Sequence, residues 1–316
     1  MPSSHMAIFL ACVCCWLAGG GGAKSVLAAH ATPTAAGNSC AECVLVIGRV
    51  SNNPRKDYPS LKALADYLVA GLRDVGINEA AVQFAEDSDR MAALLRASTV
   101  DLVFDTVFPA IQYETEAGAK LLLREWRDGS PDYRSILFKR RDSPLKSLAD
   151  LAGHKVAFER RGSTSAHFVP HAEIEAAGLR TRELAGPDRE PNPGEVGYVF
   201  AGSENNIVVW VHRRLVDAGA FSDIDWDQPE DMPPALKRDL EIFHASAPLP
   251  RAVVIARHDL RPPVEQGIKR ILLAAAADPV GRVVLKSYKN VTKYDELVGE
   301  AAAGLVAARK LVTFGE

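Results

Sequence analysis

The chain has 316 residues, 47% of them hydrophobic and 24% charged, which is enough apolar material for one or two packed units and too much for a disordered chain. A formal net charge of -3 gives no broad basic field, so nucleic acid and anionic membrane are not expected partners.

The N-terminus differs in character from the rest. Met6 to Ala18 is an apolar run of about a dozen residues, too short to cross roughly 30 Å of hydrocarbon as a helix, and small residues before a break at Ala31 permit cleavage there. The pattern predicts a signal peptide over 1–31 and a periplasmic mature protein. No Lys or Arg precedes the apolar run, which leaves a retained N-terminal anchor as one alternative. Phe9-Leu10-Ala11-Cys12 resembles a lipobox loosely and leaves lipidation as another. Cys12, Cys14 and Cys15 fall in this segment, while Cys40 and Cys43 close a linker over 32–43. In an oxidising compartment these two are expected to pair with each other. A Cys-x-x-Cys redox centre is the other reading, but such centres lie between a strand and a helix and this pair precedes the first strand.

From residue 44 the hydrophobic pattern alternates. Val44 to Gly48 reads as a buried strand, Leu61, Leu64, Leu68 and Leu72 as one helix face, Ala81 to Phe84 as a strand, Ser88 to Ala97 as a helix and Val100 to Phe104 as a strand. Such alternation predicts an α/β unit with a mainly parallel sheet, in which ligands bind beyond the carboxyl ends of the strands. A second alternation follows: strand Ser135 to Lys139, helix Leu145 to Ala152, strand Lys155 to Phe158 and a helix opening at Ser163. After a polar loop over 187–195 come a helix Ser203 to Arg213 and a strand Val216 to Ala220. A strand Ala252 to Ala256 and helices Val264 to Ala277 and Val280 to Lys289 then return the chain to the first unit. The expected division is one lobe of 44–134 with 253–316 and a second of 135–252.

The sharpest local feature is Phe158-Glu159-Arg160-Arg161-Gly162-Ser163-Thr164-Ser165, a strand and a glycine turn leading into three hydroxyl residues at a helix start. Unpaired N–H groups, a partial positive charge and hydroxyl donors together suit an oxyanion. Plain N-capping explains the same residues. Arg160 and Arg161 would clamp an anion if they face it, and otherwise are ordinary loop arginines. Asn53 and Tyr58 stand in the segment after the first strand, where contacts from the first lobe belong. His167 and His171, at i and i+4, could share a metal on one helix face, but Pro170 between them and the lack of a third ligand favour surface or capping histidines. Neither a nucleophile elbow, a P-loop, an HExxH motif nor a dinucleotide fingerprint occurs, so nothing calls for an enzyme or a cofactor.

Ser143-Pro144-Leu145-Lys146-Ser147-Leu148-Ala149-Asp150-Leu151-Ala152-Gly153-His154-Lys155-Val156-Ala157-Phe158, followed by Gly162-Ser163-Thr164-Ser165 and Pro170, closely resembles a segment of the phosphate/phosphite/phosphonate ABC transporter substrate-binding proteins. The resemblance extends to Gly202-Ser203 and to Val216-Asp217-Ala218-Gly219-Ala220, and more weakly over most of 44–290. It implies a type II periplasmic-binding-protein fold, α/β in class, with two lobes joined by a two-strand hinge. It also implies that Ser163, Thr164 and Ser165 hold ligand oxygens.

Where the family commonly shows Ser-His-Glu, this chain has Ser203-Glu204-Asn205, and where it has an aromatic followed by Gly-Pro, this chain reads Phe104-Asp105-Thr106-Val107-Phe108-Pro109. With Asp105 and Thr106 in the first lobe, and Glu204 and Asp223 in the second, the cleft is expected to be acidic. A doubly charged anion would then be repelled unless its protons or Arg160 and Arg161 offset the carboxylates, and a protonated oxyanion, an uncharged oxyacid or a cationic ligand fits such a cleft better. The expected role is capture of a small oxyanion-like ligand for an ABC transporter permease. The alternative is presentation of a ligand, arsenite for example, to a sensor histidine kinase.

Overall fold

The computed structural model describes residues 43–312. The signal-peptide and lipobox expectations, and Cys40, lie outside the described residues; Cys43 is disulfide-bonded.

The first run of elements is β1 (Val44–Val50), α1 (Pro54–Ala70), β2 (Glu79–Ala85), α2 (Ser88–Arg96), β3 (Leu102–Asp105), α3 (Val107–Ala117), β4 (Lys120–Arg127) and β5 (Asp132–Tyr133). Helix α1 begins where Asn53 Oδ1 accepts from Lys56 N at 3.3 Å, and it buries Leu61, Leu64 and Leu68 at the spacing the sequence predicts. Asp87 starts α2 in the same way, accepting from Arg90 N at 2.8 Å.

A second run comprises β6 (Ser135–Arg140), β7 (Lys155–Phe158), a π-helical turn Thr164–Phe168 running into α4 (Val169–Ala176), β8 (Arg180–Glu183) and β9 (Glu195–Phe200). It continues with α5 (Glu204–His212), β10 (Ala218–Ser222), α6 (Asp223–Asp227), α7 (Pro234–Lys237) and β11 (Leu240–Ala245). The chain then returns through β12 (Leu249–Pro250), β13 (Ala252–Ala256), α8 (Pro262–Ala274), α9 (Pro279–Ser287), β14 (Val291–Glu296) and α10 (Glu300–Val312).

Three sheets result. One has the order β14-β4-β13-β3-β1-β2, another β11-β6-β10-β7-β9-β8, and a two-stranded ribbon pairs β12 with β5. Strands β1, β2 and β3 run parallel, as do β7, β8, β9 and β10, whereas β13, β4 and β14, and likewise β6 and β11, add antiparallel partners. Central strands covered by helices on both faces must be apolar throughout, and all five residues of β13 are buried. One apolar cluster lies on each face of each six-stranded sheet. The cluster containing Ile111 of α3 and Leu305 of α10 also takes in Val169 of α4, so apolar packing runs between the two runs of elements.

Several elements differ from the sequence expectation. The helix expected over 145–152 is only a single 3-10 turn, Leu148–Leu151, and the strand expected at Val216 begins at Ala218. Strand β4 shows no alternation legible from outside, because both its neighbours are antiparallel and its Glu125 and Arg127 are buried as a pair. Strand β8, at a sheet edge, is Arg180-Thr181-Arg182-Glu183, with no buried residue to mark it.

Gly219, in the middle of β10, sits under α5: a Cβ there would lie 2.3 Å from Ile207 Cγ2 and 2.9 Å from Phe138 Cζ. Gly219→Ala is therefore expected to destabilise the fold by roughly 1–3 kcal/mol through overpacking, read as a lower midpoint in denaturant unfolding; an unchanged midpoint would mean that α5 can shift freely.

Candidate ligand-binding cleft

The ends of β1, β3 and β7 open on a cavity of about 520 Å³. The turn after β7 is fixed by backbone bonds from Glu159 N to Ala166 O at 3.0 Å and from Ser163 N to Arg160 O at 3.1 Å. Ser163 Oγ accepts from Ala166 N at 3.2 Å, so the capping role is real, but its own proton remains available. Ser165 is buried; its carbonyl accepts from Ser135 Oγ at 2.6 Å, while its hydroxyl bonds to no group among the described residues.

Thr164 behaves differently. Its hydroxyl donates to Thr106 Oγ1 at 3.0 Å and accepts from Phe108 N at 3.1 Å, tying the turn to the start of α3. Phe108 and Phe168 stack beside this contact with ring centroids 3.9 Å apart. Thr106 caps α3 without a side-chain bond to that helix, which leaves its hydroxyl for Thr164. Asp105 accepts from Thr106 N at 2.8 Å and from Tyr113 Oη at 3.1 Å, so its carboxylate shapes the entry to α3.

Of the sequence-derived candidates, Ser163, Thr164, Ser165, Asp105, Thr106 and Glu204 line the cavity. The other four lie elsewhere. Asn53 caps α1, and Tyr58 on that helix is 48% exposed. Arg161 pairs outward with Glu183, and its guanidinium carbon stands 5.1 Å from the Phe200 ring centroid. Asp223 accepts from Arg134 N at 2.9 Å. His167 and His171 are half-buried among Phe158, Tyr198 and Phe200, not surface residues. Burial lowers both pKa values, that of His167 to about 4.

The expected acidic cleft is not what the fold builds. Asp57, Glu86, Asp105, Glu159, Glu204 and Asp225 line the cavity, but so do Arg49, Arg127, Arg160, Arg251 and Lys289, so the carboxylates are nearly matched. Arg49 bonds Asp57 at 3.1 Å and Arg160 bonds Glu159 at 3.0 Å. Lys289 reaches solvent and has no ion pair among the described residues. The protein around it, then the charges of Arg127 and Arg49, hold its pKa well below the usual lysine range. Glu204 is the opposite case: burial, reinforced by the nearby Glu159 carboxylate, raises its pKa to about 7. Arg127, Arg251 and Lys289 escaped sequence reasoning because they stand in turns and strand ends far apart in the chain, with no motif around them.

A sequence profile described as "ABC transporter, phosphonate, periplasmic substrate-binding protein" matches residues 47–300. The chain belongs to this family. XAC2383 from Xanthomonas citri, solved bound to chloride, is 38% identical over 86% of this chain and 98% of its own, with a TM-score of 0.82. The same protein bound to ATP gives 37% identity, 87% and 100% coverage and a TM-score of 0.81. PhnD1 from Prochlorococcus marinus, in complex with methylphosphonate, shares the fold at 15% identity, covering 86% of this chain and 99% of its own, with a TM-score of 0.61. The fold is thus that of the type II periplasmic binding proteins, two α/β lobes joined by a two-strand hinge, here β5 with β12. The family consists of periplasmic substrate-binding components, not enzymes.

The raised pKa of Glu204 has a stability consequence of definite sign. The unfolded chain ionises this group more readily, so its contribution is complete below about pH 4.5 and is lost as the pH rises through about 7. Glu204→Gln should raise the melting temperature of the ligand-free protein at pH 8, by the equivalent of about 1–2 kcal/mol after allowing for solvent screening, and change it little at pH 4.5. An equal effect at both pH values would assign the difference to packing.

Proposed function

We propose that the protein captures an oxyanion of the phosphate, phosphite or phosphonate class between its lobes, 44–134 with 253–316 and 135–252, and delivers it to an ABC importer. The observation that carries this reading is the pair of buried serines, Ser163 and Ser165, whose hydroxyl protons are unused at the head of a turn that opens the cavity. The first N–H groups of the turn running into α4 have no partner within the helix, and this adds donors and positive potential at the same point. The cations across the cavity offset the carboxylates that would otherwise repel an anion.

Closure follows from the same geometry. Thr164, the Phe108–Phe168 stack and the packing of Val169 against the α3–α10 cluster already join the lobes, and the two hydrogen bonds and the stack supply about 1 kcal/mol each. A ligand bound by both lobes adds to that tie only when the cleft is shut, which shifts the population towards the closed form that a permease would recognise. The Xanthomonas relative solved with ATP supports phosphoryl oxygens as ligand atoms. A cavity of about 520 Å³ lies in the range that encloses a whole small molecule, leaving room for a substituent beyond the oxyanion.

Calorimetry and thermal shift with phosphate, phosphite and methylphosphonate test the reading. At least one is expected to raise the melting temperature in proportion to its occupancy, and Ser163→Ala with Ser165→Ala to weaken binding at least tenfold. Binding that survives the double substitution would place the ligand elsewhere.

A further inference from the structure

The hinge side of the cleft holds donors that the protein itself does not use. Tyr133 lies in β5, where it pairs with Leu249 of β12; Arg251 follows that strand and bonds Pro131 O through its backbone N–H at 2.8 Å; Arg127 ends β4. All three line the cavity. Arg127 and Tyr133 are only 7% and 3% exposed, and Arg251 is half-buried. Even so, Arg127 Nη2, Tyr133 Oη and Arg251 Nε are each buried without a hydrogen-bond partner. Thr164 lies close to Tyr133, but its Oγ1 already accepts from Phe108 N and donates to Thr106, so the phenol competes there for an acceptor in use.

Buried donors are normally paired, and three orphans on one cavity wall call for an acceptor from outside the chain. They share a small volume: the Arg251 guanidinium carbon is 5.1 Å from the Tyr133 ring centroid, and the charge of Arg127 acts on the Tyr133 hydroxyl. Two guanidinium groups offer donors only, and a phenol adds one more, so the complementary group is an anion. Glu125 pairs with Arg127, but Arg251 has no ion pair among the described residues. The serine cradle belongs to the lobe of β7, whereas Tyr133 and Arg251 lie on or beside the crossing strands and Arg127 ends β4 just before them.

We propose that Arg127, Tyr133 and Arg251 form a second anion subsite at the hinge, which receives a second anionic group of the captured solute. The substrate class is then a phosphorus compound with two anionic centres, such as a diphosphoryl group or a phosphonate carrying a carboxylate, and the inference rests on the oxyanion reading of the serine cradle. A ligand anchored at both places would touch the crossing strands as well as the lobe, so that its charge pattern is read at the hinge itself.

Calorimetry on the full-length protein with methylphosphonate, phosphonoacetate and pyrophosphate tests this. The two-centre probes are expected to bind at least tenfold more tightly than methylphosphonate. Arg251→Gln should weaken them at least tenfold while changing methylphosphonate less than threefold, and Tyr133→Phe should act in the same direction by about threefold. Equal affinity for all three probes in the unaltered protein, which needs no variant to fold, would overturn the hinge subsite while leaving the oxyanion reading intact. So would an Arg251→Gln loss shared equally by all three. No binding of any probe would overturn both readings.

Discussion

Everything in the cleft depends on one hydroxyl. Thr164 sits at the head of the turn after β7 and reaches across to the start of α3, where it donates to Thr106 and accepts from Phe108 N. This bridge joins the two lobes beside the cavity, together with the packing of Val169 against α3 and α10. The Thr164 donor is committed there, while Ser163 and Ser165 on either side line the cavity. A single threonine thus divides the Ser-Thr-Ser run into a bridging middle and two flanks on the cavity wall.

The bridge is weak compared with what stands behind it. Each six-stranded sheet is buried on both faces by apolar clusters, and a fully buried aliphatic side chain contributes roughly 1.5–3 kcal/mol. The lobes are therefore rigid bodies on the scale of the contact that joins them, and motion falls to the β5–β12 ribbon, which is two residues wide on each strand. Short strands flanked by rigid sheets form a hinge because few dihedral angles can absorb the change. The placement of Tyr133 and Arg251 on that ribbon makes the hinge part of the cleft wall.

Both signs of charge line the cleft from each side. Asp57, Glu86 and Asp105 stand with Arg49, Arg127 and Lys289 in the first run of elements and its return, and Glu159, Glu204 and Asp225 with Arg160 and Arg251 in the second run and its crossing. Burial lifts Glu204 towards neutrality near pH 7. Partial neutralisation of Glu204 lessens the repulsion that an anion would meet from the carboxylates.

The sequence by itself determined the α/β alternation and the hydroxyl turn at residues 163–165, because apolar periodicity and capping chemistry act within a few residues of chain, whereas Asn53 turned out to cap α1. It also carried the family, through the run from Ser143 to Phe158 and the turn that follows. It did not reveal β4, whose buried Glu125–Arg127 pair masks it, or β8, which has no apolar face. Only the tertiary structure decided which charges meet. Arg127, Arg251 and Lys289 are separated by up to 162 positions in the numbering and converge because β4, β13 and β14 are neighbours in one sheet, an arrangement with no local signature. The same long-range pairing turned Arg161 and Asp223 to other partners, since a side chain's direction at a strand end or helix start depends on what packs against it.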